Sequence, residues 1–195
     1  MQTEKRPWTR PVAPAEARGD LAAIYDRIRA ASSRGAVAEL WQCCGHDPGG
    51  LDALHALYRT LMGDPAPLTR AQAELIAVVV SATNGCGYCV AHHGVKLAAA
   101  LGSEPLARAV ARDYREANLA ARDRVLLDCA VALTCEPSER KLEDVERLRE
   151  YGFDDAAIVK ATEIAAYYNL TNRIACALGV TLEPGVEPWE FGSQR

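Results

Sequence analysis

Apolar residues in this chain recur at three- and four-residue intervals, and strict alternation is almost absent. That period is helical. Ala, Leu, Arg and Glu dominate and runs of β-branched residues are rare, which also favours helix over strand. The pattern predicts helices near 15–31, 36–45 and 49–63, after a loose N-terminal arm over 1–14 rich in Pro and charge. GDPAPLT, residues 63–69, is a break. Thr69 then opens a helix with Gln72 at its third position, the spacing of a capping box. This helix runs to about Thr83, where Asn84-Gly85 stops it. Another starts at CGYC and runs to about Leu101. Further helices are expected near 103–115, 118–134 and 138–150, then a turn at YGFDD and a long last helix over 155–178, ended by Gly179. The whole reads as one all-α domain over 15–184, with a Pro/Gly-rich tail over 185–195 that wraps a neighbour or the body.

Composition narrows the class. The chain has 195 residues, 49% hydrophobic and 25% charged, which is long and apolar enough for a buried core. A net charge of -4 supplies no basic field for nucleic acid or an anionic membrane surface. The longest apolar run, Leu75 to Val80, is too short to span a bilayer. The first residues, MQTEKRPWTRP, carry no apolar signal-peptide core, so a cytoplasmic location is expected. Seven cysteines without an export signal argue against a disulfide framework. Cys129, Cys135 and Cys176, each among Ala, Leu and Val, are expected to pack as small hydrophobes. The same holds for the vicinal pair in WQCCGH (41–46), because neighbours on a helix point about 100° apart.

The candidate chemistry lies at CGYC. On a helix starting at Cys86, positions i, i+3, i+4 and i+7 share a face, so Cys86, Cys89 and His93 form one stripe. Imidazole and thiol then meet directly or through one water. The preceding helix carries Glu74 among Ala77, Val78, Ser81 and Ala82, a face on which a carboxylate needs a partner. A reversal at Asn84-Gly85 would turn Glu74 toward Cys89 and His93. The helix N-terminus, His93 and the partner cysteine each favour a thiolate at this pair. Glu74 repels a thiolate, so its fitting role is to orient His93 and take protons from it. Three blander readings stay open: buried apolar thiols, a structural pair, and a metal clip in which His93 and Glu74 complete the ligands. A c-type haem needs His directly after the second cysteine, where this chain has Val90.

The spacing E-x11-C-x2-C-x3-H, in LTRAQAELIAVVVSATNGCGYCVAHH, resembles the alkylhydroperoxidase D-like proteins of the carboxymuconolactone decarboxylase superfamily. With LREYGFDDAAIVKATEIAAYYNLTNRIACALGV the wording is closest to the peroxidase-related branch, and the resemblance covers about 50–184. It implies an all-α fold with the CxxC at the start of a buried helix, assembled as a homo-oligomer, a trimer or hexamer. It implies a thiol-dependent hydroperoxide reductase that needs no cofactor and draws on an external dithiol reductant or reductase. Cys89 resembles the peroxide-attacking cysteine and Cys86 the resolving one, more exposed and open to the reductant. His93 and Glu74 resemble the proton relay. Where the best-studied members have a histidine before the second cysteine, this chain has Tyr88, which reads as pocket wall. Asn169, Asn172 and Arg173, at i, i+3 and i+4 of an otherwise apolar last helix, are expected to form a hydrogen-bond cluster behind the site or between subunits. The alternatives are a decarboxylase-like enzyme on the same fold and a non-enzymatic redox-sensing oligomer.

Overall fold

The structure, a computed structural model, describes residues 7–194. Of the expected arm, residues 1–6 lie outside the described residues, as does position 195 of the tail. Among the described residues nine α-helices follow in order: α1 (Gly19–Ala31), α2 (Glu39–Cys43), α3 (Pro48–Tyr58), α4 (Arg70–Thr83), α5 (Gly87–Leu101), α6 (Glu104–Asp113), α7 (Ala121–Cys135), α8 (Leu142–Glu150) and α9 (Asp155–Ala177). No strand occurs among the described residues, and no helix there is long and apolar enough to cross a membrane.

The middle of the bundle is α4. Every residue from Gln72 to Thr83 is buried, so this helix has no solvent face. It packs against α5, α6, α7 and α9. A helix buried all round has no amphipathic stripe to read, only a continuous apolar run. Its start is fixed as the sequence predicts. Thr69 Oγ1 accepts from the Gln72 N–H at 3.1 Å, and Gln72 Oε1 accepts from the Thr69 N–H at 3.0 Å. The Gln72 amide also donates to Asp123 on α7, so the cap is a tertiary tie as well.

The first three expected helices are shorter than their patterns, and so is the one expected over 138–150, which starts at Leu142 after a 3-10 turn over Pro137–Glu139. The first begins only at Gly19, because Arg18 is extended. Upstream, Glu16 turns back to take hydrogen bonds from Arg10 and from the Ala13 N–H. The second tightens into a 3-10 turn over Cys44–His46. The third ends at Tyr58 and widens into a π turn over Arg59–Gly63, whose carbonyls at Met62 and Gly63 accept from Arg70.

The tail wraps the body. Trp189 is buried on α5 under the Arg108 guanidinium, which lies 4.5 Å from its ring. Gln194 is fully buried, donating to the Ala111 and Arg112 carbonyls and accepting from the Tyr114 N–H. Phe191 lies over Gly87, the first residue of α5. A methyl at Gly94 would come within 2.5 Å of the Trp189 ring. Gly94→Ala is therefore expected to lose about 1–3 kcal/mol despite the better helix former. Thermal unfolding and Trp fluorescence quenching check this; an unchanged melt with a still-protected Trp189 would contradict it.

Candidate active site

The bend between α4 and α5 is built to be rigid. Gly85 takes a left-handed φ of 70°, and the Cys86 N–H donates to the Ser81 carbonyl at 2.9 Å across the turn. Behind it stands the polar cluster of α9. The Asn84 amide donates to Asn169 Oδ1 and Asn172 Oδ1, each at 3.0 Å. Asn172 donates onward to Ser81 Oγ, and Asn169 to Thr134 Oγ1 on α7. Arg173 closes the group by donating to Asn169. None of these three α9 side chains lines the cavity described below. They clamp the turn that aims CGYC.

The bend brings Glu74 and His93 together. Glu74 is 2% exposed and its Oε2 lies 2.7 Å from His93 Nδ1. A carboxylate can only accept here, so Nδ1 carries the proton and Nε2 is the accepting nitrogen. The Tyr168 hydroxyl, from α9, lies 3.1 Å from that Nε2 and donates to it. Burial holds the imidazole down to about 4, helped by the nearby Lys96 and opposed by Glu74. Burial alone would raise Glu74, but His93, Lys96 and Arg70 together hold it below the ordinary carboxylate range. At neutral pH the pair is a carboxylate and a neutral imidazole. Burial keeps Tyr168 protonated. Glu74, His93 and Tyr168 thus form a buried hydrogen-bonded chain.

The thiols lie beside this chain. Cys86 is the N-cap of α5 and Cys89 sits in its first turn. Both are free and buried, Cys86 at 2% and Cys89 at 4% exposure. The expectation that Cys86 is the more exposed of the two does not hold for this chain. The C-terminal end of α9, with Ile174 and Ala175, packs over the pair, as does Leu40 from α2. The neighbouring Cys89 and burial together push the Cys86 thiol far up. Cys89, not Cys86, faces the cavity.

That cavity has a volume of about 940 Å³. Glu74, Cys89, His93 and Tyr168 line one part of it, with Trp41, His55, Tyr58 and Tyr167 as further wall. The aromatic rings run edge to face: Trp41 to His55 at 5.5 Å, Tyr167 to Tyr168 at 5.4 Å, Tyr168 to His93 at 4.8 Å. Lys96 reaches in to donate to the Tyr58 hydroxyl at 2.8 Å.

Tyr88 lines the same cavity, and Glu183 from the segment after α9 locks it there. The Tyr88 hydroxyl donates to Glu183 Oε1 at 3.0 Å and accepts from the Leu40 N–H at 3.2 Å. Glu183 Oε2 pairs with His92 Nε2 at 2.8 Å, and Oε1 also accepts from the Glu39 N–H at 2.7 Å. Burial opposes the charge on Glu183, but these bonds outweigh it and hold the carboxyl at about 2.

Other cysteines depart from expectation. Cys43 is buried, but Cys44 and Cys129 are partly exposed and Cys135 and Cys176 are exposed. Residues at the ends of α7 and α9 look apolar in sequence, yet the last turn of a helix on the bundle surface has solvent on one side. Among the described residues no group of three or more His, Cys, Asp or Glu is arranged to hold a metal ion. The residues that sequence reasoning missed as site members are Tyr168, Lys96 and Glu183. Tyr168 left a signal, a hydroxyl on an apolar helix, but nothing local says which helix it faces.

Fold and site together define an all-α protein of the alkylhydroperoxidase D-like kind. A family model described as the carboxymuconolactone decarboxylase family matches residues 48–112. An uncharacterized peroxidase-related protein from Silicibacter sp. TM1040 is 30% identical, with 95% of this chain and 97% of that chain covered and a TM-score of 0.85. An uncharacterized peroxidase-related protein with an alkylhydroperoxidase AhpD core, from Ralstonia eutropha JMP134, is 29% identical over 91% and 93% of the two chains, with a TM-score of 0.83. The debrominase Bmp8 shares the fold at 18% identity and a TM-score of 0.74, over 89% and 91%. No curated protein matches the chain. The chain belongs to the carboxymuconolactone decarboxylase superfamily, among its alkylhydroperoxidase D-like, peroxidase-related members.

The buried imidazole sets a pH dependence of stability. Its folded value lies below the unfolded one of about 6.5, so between these values the unfolded chain binds a proton that the folded chain rejects. The contribution is complete above pH 6.5 and is lost as pH falls toward 4; it is worth a few kcal/mol. Stability is expected to drop across this window, and His93→Gln to flatten the drop. Denaturant unfolding from pH 7 to 4 checks it; equal slopes in both proteins would contradict it.

Proposed function

We propose that the protein is a thiol-dependent hydroperoxide reductase that uses Cys89 and Cys86. The observation that carries the reading is the convergence of Cys89 and the Glu74–His93–Tyr168 chain on one cavity, with Cys86 buried in the same cluster behind Cys89. The family membership supports the same reading.

The cycle has three steps. The Cys89 sulfur attacks the terminal peroxide oxygen, the O–O bond breaks, and the alkoxide leaves. The Tyr168 hydroxyl takes the thiol proton as it passes its own to His93 Nε2, and the same relay returns a proton to the leaving oxygen, which departs as alcohol; Glu74 stabilises the transient imidazolium and fixes its orientation. Cys89 is then a sulfenic acid. Cys86 condenses with it, giving a disulfide and water. An external dithiol restores both thiols by exchange. None of these steps requires a metal or a flavin.

Cavity size bears on the substrate. About 940 Å³ is at the upper end for a ligand pocket and far more than hydrogen peroxide fills. The aromatic wall suits an organic hydroperoxide with an apolar body. Tyr88, pinned by Glu183, acts as wall in this reading and not as a base. A reducing, cytoplasmic setting and assembly as a homo-oligomer belong to the same reading and rest on the family likeness.

The test is a single-turnover thiol count. Reduced protein mixed with cumene hydroperoxide should lose two thiols, and faster than with hydrogen peroxide. Cys89→Ser should abolish the loss, and Cys86→Ser should leave a sulfenic acid that dimedone traps. His93→Gln or Glu74→Gln should slow the first step by about 10²-fold or more. Thiol loss that persists in Cys89→Ser would overturn the reading.

A further inference from the structure

The proposed cycle leaves a problem of access. Its final step needs a dithiol to reach one sulfur of the Cys86–Cys89 pair in line with the S–S bond. Cys86 is 2% exposed and does not line the cavity. Leu40, Ile174, Ala175, Val180 and Leu182 cover the pair. Cys89 opens only to the interior pocket, where the hydroperoxide itself must sit.

One thiol spans the gap. Cys176 stands in the last turn of α9, next to Ala175 of the cluster that covers Cys86. It is exposed to solvent. Ala175 packs in one cluster with Cys86 and Cys89, so the next residue sets a third sulfur at the surface edge of that cluster, near enough for Cys86 to act on its thiol. Cys89 on the pocket side, Cys86 buried behind it and Cys176 at the surface thus follow one another from pocket to solvent. Cys135, the other exposed cysteine, lies at the end of α7 and has no part in this row.

We propose that Cys176 is a third redox thiol that carries the disulfide from the buried Cys86–Cys89 pair to the protein surface, where a dithiol reductant meets it. The inference rests on the hydroperoxide-reductase reading for its oxidant, though the exchange itself needs only the Cys86–Cys89 disulfide. The Cys176 thiolate, its proton released to water, attacks the Cys86 sulfur. The Cys86–Cys176 bond forms, the Cys86–Cys89 bond breaks, and Cys89 leaves as a thiolate, ready for the next peroxide. No net oxidation occurs in this step. A dithiol from solution then attacks the exposed Cys176 sulfur, forms a mixed disulfide, and closes on itself, releasing Cys176; Cys86 takes up a proton. In the reduced state burial and Cys86 hold the Cys176 proton, pushing the thiol up to about 11.

The experiment separates this exchange from the peroxide chemistry. Diamide, a two-electron thiol oxidant, makes the disulfides without any hydroperoxide. In Cys89→Ser, diamide treatment followed by acid trapping and peptide mapping should find an intramolecular Cys86–Cys176 disulfide. Its absence would overturn the relay. In Cys176→Ser, the diamide-made Cys86–Cys89 disulfide should be reduced by thioredoxin at least tenfold more slowly than in the wild type, with Cys135→Ser as the unchanged control. Equal rates in the wild type and Cys176→Ser would also overturn it, and would mean that electrons enter through the pocket at Cys89. If hydroperoxide fails to oxidise the protein while diamide yields the Cys86–Cys176 bridge, the hydroperoxide reading falls and the relay stands.

Discussion

A carboxylate buried on a helix with no solvent face is the constraint around which this molecule is organised. Glu74 sits in α4, whose neighbours from Gln72 to Thr83 are all buried. An isolated charge there would cost several kcal/mol. The cost is met by a 2.7 Å hydrogen bond from His93 and by the nearby cations Lys96 and Arg70. That bond in turn demands that α5 fold back along α4 at one angle and one register. The left-handed Gly85, the Cys86 N–H on Ser81 and the Asn84–Asn169–Asn172 cluster all serve that one turn. The first turn of α5, and with it Cys89, is aimed as a consequence.

The same logic explains the tyrosine that stands just before the second cysteine of CGYC. Tyr88 is no proton acceptor at neutral pH, yet it is held on both sides, by the Leu40 N–H and by Glu183. Glu183 in turn ties His92 and the start of α2 to the segment that follows α9. This second carboxylate organises one part of the cavity wall, as Glu74 organises another. The two acids divide the work: one faces the imidazole that moves protons in the proposed cycle, the other holds the wall.

What the sequence made legible is what local spacing encodes. The capping box at Thr69–Gln72, the stop at Asn84-Gly85 and the stripe of Cys86, Cys89 and His93 follow from helical periodicity over a few residues. Glu74 could be singled out because a charge on an apolar face is out of place. Tyr168 and Glu183 could not, because each comes to the site from more than seventy residues away and looks ordinary where it stands. Cys176 shows the opposite case: its neighbours are apolar, but it lies at a helix end on the surface, and only the packing of α9 shows that it adjoins the cluster that holds Cys86. Helix lengths were overestimated where the chain tightens to a 3-10 turn or widens to a π turn, since both keep the apolar spacing nearly unchanged.

The protonation state of His93 bears most directly on this account, and ¹⁵N NMR of the imidazole nitrogens reads it. The account requires a neutral ring with its proton on Nδ1, toward Glu74, from pH 8 down to about 4. A ring that is already an imidazolium at pH 7, or one whose proton sits on Nε2, would contradict it.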